Sequence, residues 1–318
     1  MVLDKRGLEE LCSAVINKRN VPDKEEWGKN LSQFLVENED AFLTVIQPGG
    51  NNGDELIYKG LNKKLKDLEI GYEEIKYRES KLSQRISFIN KKFGTNLREV
   101  SISKKTDLIL IHGGGNMNDH WGNGTSLLRN LILHYDVPIV VAPQTFYFTE
   151  TNISEILKKA KQEIRLFCRE ETSYFSLERM RLPDNVKIHL SDDTAFYLSK
   201  EDFTYSNGSD DKKEYALLCF RGDKESKASL DVNETFKEIF MDWGMEIINE
   251  GDISVNQSFE DFVKIIAGAK IVVADRLHVG ILSSILEKPT LSLPNSYFKN
   301  KAVYKYSLKH FPATTFVG

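Results

Sequence analysis

The stretch from Ile271 to Pro294 constrains the fold more than any other part of the sequence. A short run of β-branched residues ends in Asp275, Arg276 and His278, and an apolar helical pattern and a second short apolar run follow. This order of strand, turn, helix and strand is typical of a parallel βαβ unit. The same order recurs on both sides of a polar segment at residues 199–213. The sequence therefore predicts an α/β protein with two domains and a mostly parallel sheet in each.

The polar residues of this stretch stand where parallel units bind ligands, at the carboxyl end of a strand. The N-terminus of the following helix offers free N–H groups to an anion. Arg276 adds a planar guanidinium that matches phosphate or carboxylate, and His278 can transfer a proton near neutral pH. We therefore expect an anion site with a proton carrier beside it.

Length and composition exclude several classes of protein. The 318 residues fit two domains of ordinary size. A net charge of −4 gives no support for binding nucleic acid. No apolar run approaches the ~20 residues of a membrane-spanning helix, so we expect no integral span. The three cysteines lie far apart, which indicates reduced thiols in the cytoplasm unless a membrane anchor is missing from the sequence.

The polar segment marks the predicted domain boundary. We assign residues 1–200 to an N-terminal Rossmann-like domain and residues 210–318 to a C-terminal one. Two helices are predicted within residues 4–37, the second starting at Pro22-Asp23, as an extension of the N-terminal domain. A final helix over residues 299–309 is long enough to pack back across the gap between the domains.

A glycine-rich loop, Gly50-Asn51-Asn52-Gly53-Asp54, lies between the predicted strand Phe42–Ile46 and a helix from about Glu55. Glycine lets such a loop turn sharply or approach a ligand closely. Two interpretations stay open. Either Asn52 and Asp54 line a ligand, or the loop is a tight turn in which Asp54 caps the helix.

A second loop opens with Gly113–Gly115 directly after the predicted strand Asp107–Ile111. Three successive glycines leave backbone N–H groups uncovered, so the loop is able to hold an anion or admit a sugar. Asn116 and Asp119 add groups that hydrogen-bond to sugar hydroxyls. The alternative is a plain glycine turn with a solvated polar tail, and the triple glycine favours a functional loop.

Further candidates follow other strands. Gln144 comes just after the strand at residues 137–142, and Arg221 follows the strand that ends at Phe220. Arg169 follows the strand Ile164–Cys168 and repeats the position of Arg276 at a strand-to-helix junction. The alternative for Arg169 is a structural salt bridge to Glu170 or Glu171.

Six motifs in one order resemble the polysaccharide pyruvyl transferase family over about residues 44–294. They are Gly50–Asp54, Ile111–Asn116, Ala142–Thr145, Cys168–Ser173, Asp192–Ala195 and Asp275–His278. The usual Pro-Gln-Ser of the family stands here as Pro143-Gln144-Thr145, which keeps the hydroxyl. The N-terminal helices depart from the simplest family pattern.

The resemblance implies two Rossmann-like domains that face a cleft, as in GT-B glycosyltransferases. It implies that the enolpyruvyl carbons of phosphoenolpyruvate are transferred to two hydroxyls of a sugar, in a glycan or a lipid-linked saccharide. A pyruvate ketal and phosphate are the products, phosphoenolpyruvate is a co-substrate, and no cofactor is expected. A lipid-linked acceptor would also imply peripheral contact with a membrane. Arg169, Arg276, Leu277 and His278 are implied to be needed for activity.

On this basis the N-terminal domain is the expected acceptor side and the C-terminal domain the expected donor side. Two guanidinium groups on facing domains would hold the phosphate and the carboxylate of the donor. The donor-binding candidates are Arg169, Arg221, Arg276 and Leu277. The acceptor or loop candidates are Asn52, Asp54, Gly113, Gly114, Gly115, Asn116, Asp119 and Gln144.

The proposed reaction needs a general acid, because the enol carbon must gain a proton before a hydroxyl attacks, and we assign this role to His278. The helix N-terminus and Arg276 disfavour the charged imidazole. A nearby carboxylate, Asp275 or Asp119, would have to restore it. The alternative is that His278 only hydrogen-bonds the phosphate.

Two other functions remain as alternatives. A sugar-nucleotide-dependent GT-B glycosyltransferase would need a carboxylate for the ribose in the C-terminal domain, and Glu287 is a poor candidate for it. A non-catalytic carbohydrate- or anion-binding protein is the other. We expect no metal, because no cluster has ligand spacing, although Asp192 and Asp193 could assemble with remote carboxylates.

Overall fold

The computed structural model describes residues 4–18, 20–24, 26–77, 81–203, 214–226 and 230–318. The chain divides into two compact units. The six-stranded unit comprises Trp27–Gly50 and Ile57–Tyr197. The five-stranded unit comprises Met1–Glu26, Asn51–Leu56 and Leu198–Gly318.

Strands form at the seven apolar runs named above, and four further strands complete the sheets. They are β1 Leu43–Gln47, β2 Tyr72–Lys76, β3 Leu108–Ile111, β4 Ile139–Gln144, β5 Ile164–Cys168, β6 Val186–Leu190, β7 Tyr215–Cys219, β8 Glu246–Ile248, β9 Ala269–Ala274, β10 Thr290–Ser292 and β11 Thr314–Phe316.

The helices alternate with these strands along the chain. They are α1 Lys5–Ile16, α2 Lys29–Val36, α3 Asn52–Asp67, α4 Lys81–Phe93, α5 Asn123–His134, α6 Ile153–Leu157, α7 Glu171–Glu178, α8 Leu230–Asp242, α9 Ile253–Asn256, α10 Phe259–Gly268, α11 Leu277–Ile285 and α12 Lys299–Tyr306.

Both sheets are parallel, as predicted. The six-stranded sheet has the order β2-β1-β3-β4-β5-β6, and the five-stranded sheet has the order β11-β10-β9-β7-β8. In each sheet the chain starts at an inner strand, adds one neighbour on one side and then continues on the other side. Two parallel-sheet α/β domains of the Rossmann-like type are therefore confirmed.

Successive side chains of the central strands of the six-stranded unit point to opposite faces of the sheet and pack in two separate cores. In β3, Leu108 and Leu110 pack in one hydrophobic cluster, while Ile109 and Ile111 pack in another. A sheet that is covered on both faces buries every residue of its central strands, because successive side chains point to opposite faces. Because the central strands are apolar on both faces, each face of the sheet has to be covered by helices.

Helix α1 packs in the five-stranded unit and not in the N-terminal domain. Its apolar residues Leu8, Cys12 and Val15 share a core with Phe236 and Phe240 of α8 and with alternate residues of the five-stranded sheet. The prediction of a helical extension of the N-terminal domain was therefore wrong for this helix. An amphipathic pattern identifies the buried face, but it does not identify the sheet that covers it.

Helix α2 starts later than predicted and packs in the six-stranded unit. Asp23 lies before this helix, and its carboxylate is hydrogen-bonded to His310 Nδ1 at 2.8 Å. The helix begins instead after Gly28, which adopts a left-handed conformation and donates its backbone N–H to Asp192 at 3.0 Å.

The remaining differences concern short elements and ends. Helices α6 and α9 and strand β11 have only five, four and three residues, which is too short to show a period in the sequence. Helix α12 packs within its own unit, where Asn300 Nδ2 donates to the carbonyl oxygens of Asp275 and Leu293. The predicted linker lies outside the described residues from 204 to 213. No helix in the described ranges is long and apolar enough to cross a membrane.

Candidate active site

Each sheet contains one point at which the strand order reverses, between β1 and β3 in the six-stranded unit and between β7 and β9 in the five-stranded unit. At such a point the loops diverge at the carboxyl edge and leave a crevice that binds ligands. Gly113–Asn116 follows β3, whereas Arg221 and Arg276 follow β7 and β9. These candidate residues thus lie where this fold places its sites, whereas Gln144 and Arg169 lie at β4 and β5, further along the six-stranded sheet.

Arg221 is held by carboxylates on its own loop. Its Nε and Nη2 atoms each donate to Asp223 at 2.8 Å, and its Nη1 atom is 2.9 Å from Glu225. Its backbone N–H donates to Asp275 at 2.7 Å. Burial acts to lower the pKa of Arg221, but Asp223, Glu225 and Asp275 raise it above its ordinary value. The guanidinium therefore remains charged, with every nitrogen engaged.

Arg276 lies beside it and keeps one nitrogen available. Its Nε atom donates to Asp252 at 3.0 Å, and its Nη2 atom contacts both Asp252 and Asp223. No group among the described residues bonds Nη1. Both arginines line a cavity of about 590 Å³, a volume typical of small-molecule sites. Burial acts to raise the pKa of Asp223, but Arg221 and Arg276 hold it at about 2, so the carboxylate stays ionised between them.

His278 is the second residue of α11, with Arg276 at the N-cap position. The first turn of α3 lies against it. A Cβ atom added to Gly53 would stand 2.6 Å from Nδ1 and 2.9 Å from Cβ of His278. Asn52 anchors this turn, because its Nδ2 atom donates to the carbonyl of Gln257 at 2.9 Å. The first glycine-rich loop therefore contacts the candidate histidine directly.

The start of α3 agrees with the capping interpretation of that loop, and ligand binding by Asn52 and Asp54 stays a prediction. Asn51 accepts from the N–H of Gly53 at 2.8 Å, and Asp54 accepts from the N–H of Asn51 at 2.9 Å. This reciprocal pair is a capping box, in which Asn51 is the N-cap. Asp54 therefore serves the helix end, and the helix starts at Asn52 and not at Glu55.

Asp275, one of the two carboxylates expected beside His278, is engaged elsewhere. Its oxygens accept from the N–H of Arg221 at 2.7 Å and from Ser226 Oγ at 3.0 Å. Burial raises the pKa of Asp275, and these two donors limit the rise. The buried carboxylate therefore joins the loops after β7 and β9.

Asp119, the other expected carboxylate, closes a loop of the six-stranded unit. It accepts from the backbone N–H groups of Thr149 at 2.6 Å and Glu150 at 2.7 Å. Burial acts to raise the pKa of Asp119, but bonds from Thr151, Glu150 and Thr149 lower it to about 2. Its oxygens therefore hold the loop together, and a role of Asp119 in sugar binding stays a prediction.

Gln144 braces the triple-glycine loop from within. Its Nε2 atom donates to the carbonyl of His112 at 2.8 Å, and its Oε1 atom accepts from the N–H of Asn116 at 3.3 Å. A Cβ atom on Gly113 would stand 2.5 Å from the carbonyl oxygen of Pro143, so this position requires glycine. The buried Nδ2 atom of Asn116 has no partner among the described residues. An unsatisfied buried donor is the kind of group that a ligand hydroxyl completes.

Arg169 belongs to the same unit and is only 1% exposed. Its Nη1 atom donates to Asp193 at 2.7 Å and its Nε atom donates to Thr145 Oγ1 at 2.9 Å. The structural alternative for Arg169 was a salt bridge to Glu170 or Glu171. The structure contains a salt bridge of Arg169, but its partner is Asp193. The hydroxyl of the Pro-Gln-Thr motif thus orients the guanidinium.

The adjacent acids Asp192 and Asp193 point to different partners. Asp192 accepts from the N–H of Gly28 at 3.0 Å, and Asp193 pairs with Arg169. Within the described part of the chain, no group of three or more His, Cys, Asp or Glu residues is arranged to hold a metal ion. Independence from metal ions stays a prediction.

Sequence reasoning missed the acids that orient the arginines, because Asp252 and Asp193 approach them only in the folded chain. It also missed that His112 lies 3.6 Å from Glu74, a contact that is the main reason why the pKa of Glu74 falls to about 2. Leu277, which the motif included, is buried and contributes apolar packing.

The sequence profile described as polysaccharide pyruvyl transferase matches residues 51–297, which is more than half of the chain. The chain belongs to the polysaccharide pyruvyl transferase family. Arg221, Arg276 and His278 all lie within the matched region. Family membership and the fold support a polysaccharide-modifying transferase.

Relatives of this pyruvyl transferase family member are distant. General stress protein 30 of Bacillus subtilis (strain 168) is 22% identical over 285 residues, which are 86% of this chain and 79% of that protein. The solved structure of an uncharacterized protein, KP1_0663 from Klebsiella pneumoniae, has a TM-score of 0.64 at 23% identity and covers 91% of this chain and 98% of that one. UDP-GlcNAc 2-epimerase from Methanocaldococcus jannaschii has a TM-score of 0.48 at 12% identity, with 87% and 89% covered.

Proposed function

We propose that this protein transfers the enolpyruvyl carbons of phosphoenolpyruvate to two hydroxyls of a sugar, in a glycan or a lipid-linked saccharide. The products are a pyruvate ketal and phosphate. One observation carries the proposal: two charged arginines line a single cavity of about 590 Å³ at the carboxyl edge of the five-stranded sheet, with His278 on the adjoining helix. A small donor with two anionic groups and a protonatable carbon fits this combination.

Arg276 is the principal donor ligand in this proposal. Asp252 and Asp223 fix the guanidinium plane through Nε and Nη2, and Nη1 faces no described partner. A fork oriented in this way can donate to a phosphate or a carboxylate without reorganisation. Arg221 has all its nitrogens engaged, so it supplies positive field and holds Asp223 in place.

The chemical step requires one proton donor and two nucleophilic hydroxyls. His278 gives a proton to the methylene carbon, which leaves positive character at C2. The first sugar hydroxyl forms a bond to C2 and loses its proton, and the bond between C2 and the bridging oxygen breaks as phosphate leaves. The second hydroxyl then forms the other C–O bond of the ketal and loses its proton in turn. A positioned acid contributes roughly 10²–10⁴-fold in rate.

Arg169 and the triple-glycine loop form the acceptor part of the proposal. The buried Asn116 amide offers a hydrogen bond to a sugar hydroxyl. The sequence predicted uncovered N–H groups in this loop, but those of Gly114 and Asn116 donate to Pro143 and Gln144. A donor-binding role for Arg169 stays a prediction, since Asp193 and Thr145 already bond its guanidinium. Replacing Arg169 by Ala would leave Asp193 buried without its partner, which costs about 3–5 kcal/mol, so any such test needs a stability control.

The test is phosphate release from phosphoenolpyruvate across a panel of glycosides that carry neighbouring hydroxyls, with the product analysed by mass spectrometry. The expected product has the mass of the glycoside plus pyruvate minus water. The Arg276→Ala variant should lose activity, whereas Lys264→Ala, at an exposed residue of α10 paired with Glu260, should retain it. Phosphate release without a ketal product, or equal activity in both variants, would contradict the proposal.

A sugar-nucleotide-dependent glycosyltransferase remains the alternative outcome. Its required ribose carboxylate is not supplied by Glu287, which lies beyond the far end of α11 from Arg276 and pairs with Lys200. Thermal shift separates the two functions. Stabilisation by phosphoenolpyruvate supports the proposal, and stabilisation by UDP alone supports the glycosyltransferase.

We also propose a peripheral contact with a lipid surface through α4, on a protein that works in the cytoplasm. This helix has no acidic residue, and its Leu82, Phe88 and Phe93 side chains are 67%, 63% and 66% exposed. Lys92 lies 5.7 and 5.4 Å from the Phe88 and Phe93 rings. Exposed apolar groups among cations favour an anionic membrane interface.

Sedimentation with phosphatidylcholine vesicles, with and without phosphatidylglycerol, tests this contact. The protein should bind only the anionic vesicles, and the double variant Phe88→Ser, Phe93→Ser should not. Met241→Ser, at a similarly exposed residue of α8, should bind like the unmodified protein. Equal binding by the double variant would refute the contact.

A further inference from the structure

A groove lies between α4 and α5 in the six-stranded unit, apart from the residues assigned above. Its volume is about 680 Å³, within the range of small-molecule sites. Its lining runs along α5 from Asn123 to Leu133. Ten helical residues span about 15 Å, which is longer than one sugar ring.

The side chains of the groove are mostly amides and hydroxyls. Asn123 and Ser126 come from α5, Gln84 and Ser87 come from α4, and Leu133 is the one aliphatic residue among the described residues of the lining. The indole of Trp121 stands at one end and is 41% exposed. Amides and hydroxyls match sugar hydroxyls, and an exposed aromatic ring matches the apolar face of a pyranose.

The floor of the groove is already rigid. Asn130 donates to the carbonyl of Leu97 at 2.9 Å and accepts from the N–H of Glu99 at 2.9 Å. The buried Glu99 carboxylate accepts from Asn90 Nδ2 at 2.9 Å and from the hydroxyl of Tyr77. A satisfied polar floor that is held in this way presents a fixed shape to a ligand.

The rim is connected to the triple-glycine loop. Asn118, which is fully buried, donates to the carbonyl of Gly115 at 2.6 Å and accepts from the N–H of Trp121 at 2.9 Å. One side chain thus fixes both the end of the glycine turn and the start of the groove. A sugar at the glycine turn would have its neighbour directed toward Trp121.

We propose that this groove binds the second sugar of an oligosaccharide acceptor, adjacent to the sugar that is modified. The proposal rests on the proposed function for the identity of the acceptor, but binding in the groove is measurable without phosphoenolpyruvate. The ligand class is a neutral disaccharide or longer glycan. Only one arginine, Arg129, lines the groove within the described residues, so a ligand rich in phosphate is disfavoured.

Calorimetric titration with cellobiose, lactose, maltose and diacetylchitobiose, each compared with its component monosaccharides, tests the groove. At least one disaccharide should bind more tightly than its monosaccharides by roughly threefold to tenfold. Trp121→Ala should remove the preference for the disaccharide, and Trp121→Phe should retain most of it. Phe175→Ala, at an exposed aromatic residue on α7, should bind as the unmodified protein does.

Absence of saturable binding for the whole panel, or an unchanged disaccharide preference in Trp121→Ala, would overturn the proposal. Turnover separates this result from the proposed function. In ketal formation, Trp121→Ala should raise KM for the disaccharide acceptor by the same factor and leave kcat and the KM of phosphoenolpyruvate unchanged. If no ketal forms but binding still depends on Trp121, the proposed function fails and the groove assignment stands.

Discussion

Replacing Gly53 by alanine should disturb His278 specifically. The new Cβ atom would lie 2.6 Å from Nδ1 and 2.9 Å from Cβ of His278. A change of rotamer can move Nδ1 away, but Cβ is fixed to the backbone of α11. The clash with Cβ of His278 is therefore removed only if the first turn of α3 or the start of α11 shifts. Both segments belong to the five-stranded unit.

The expected cost follows from this geometry. Over-packing of this kind destabilises by about 1–3 kcal/mol. Alanine also stabilises a helix by about 0.5–1 kcal/mol relative to glycine, which offsets part of the cost. Gly280→Ala is the matched control, because Gly280 lies on the same helix as His278 and its added Cβ would stand an ordinary 3.9 Å from Ser292 Oγ. The difference between the two variants measures the contact with His278 together with a closer approach to Asn51 Oδ1, which would lie 3.0 Å from the new Cβ.

Urea denaturation gives the free energies of unfolding, and phosphate release gives kcat. We expect Gly53→Ala to be less stable than Gly280→Ala by about 1–3 kcal/mol. We expect its kcat to fall by up to about 10²-fold, since small misplacements of a catalytic group have effects of this size. Equal stability in the two variants together with an unchanged kcat in Gly53→Ala would refute the assignment of this contact.

Three further predictions concern single groups, and a fourth concerns metal ions. Arg276→Lys should weaken donor binding by about 1.5–3 kcal/mol, because an ammonium cannot replace the oriented guanidinium. The KM for phosphoenolpyruvate measures this loss, and an unchanged KM would exclude donor binding by Arg276. His278→Gln should lower kcat by roughly 10²–10⁴-fold, and near-normal turnover would make His278 a binding residue only. The pKa of Asp119 is about 2, below its ordinary value, so its stabilising contribution is complete above about pH 4 and is lost as the pH falls toward 2. Urea titrations should show a smaller loss over that window in Asp119→Asn, and identical pH dependence would contradict this. Activity should survive EDTA, and a loss that a divalent ion restores would show that a metal is required.

The positions of Arg276 and His278 could be predicted from sequence because they are local. A β-branched run, a charged turn and an apolar helical pattern place them at a carboxyl edge without any knowledge of distant residues. The partners of Arg276 could not be predicted in this way. Asp252 and Asp223 lie 24 and 53 residues away along the chain, and an acid in a loop has no periodicity that would identify its contact.

The same distinction explains the errors in the fold. Leu8, Cys12 and Val15 recur at helical spacing, which correctly indicated a helix with one buried face. Nothing in that spacing distinguishes the five-stranded sheet from the six-stranded one, and chain proximity favoured the wrong choice. Gly53 shows the same limit in the candidate site. The glycine motif indicated that the loop approaches another group closely, but only the fold identifies that group as His278.

The repeated strand order supports different roles for the two units. In the five-stranded unit, both strands that flank the reversal point are followed by an arginine, so two guanidinium groups meet at one crevice. In the six-stranded unit, the corresponding strand β3 is followed by glycines, and Arg169 follows β5, which lies two strands further along the sheet. Nη1 of Arg276 is the group left to bind an anionic donor, because Asp223 and Glu225 engage Arg221. The buried amide of Asn116 suits a hydroxyl of a neutral polyol instead. The proposed division into a donor-binding five-stranded unit and an acceptor-binding six-stranded unit rests on this difference between the two crevices.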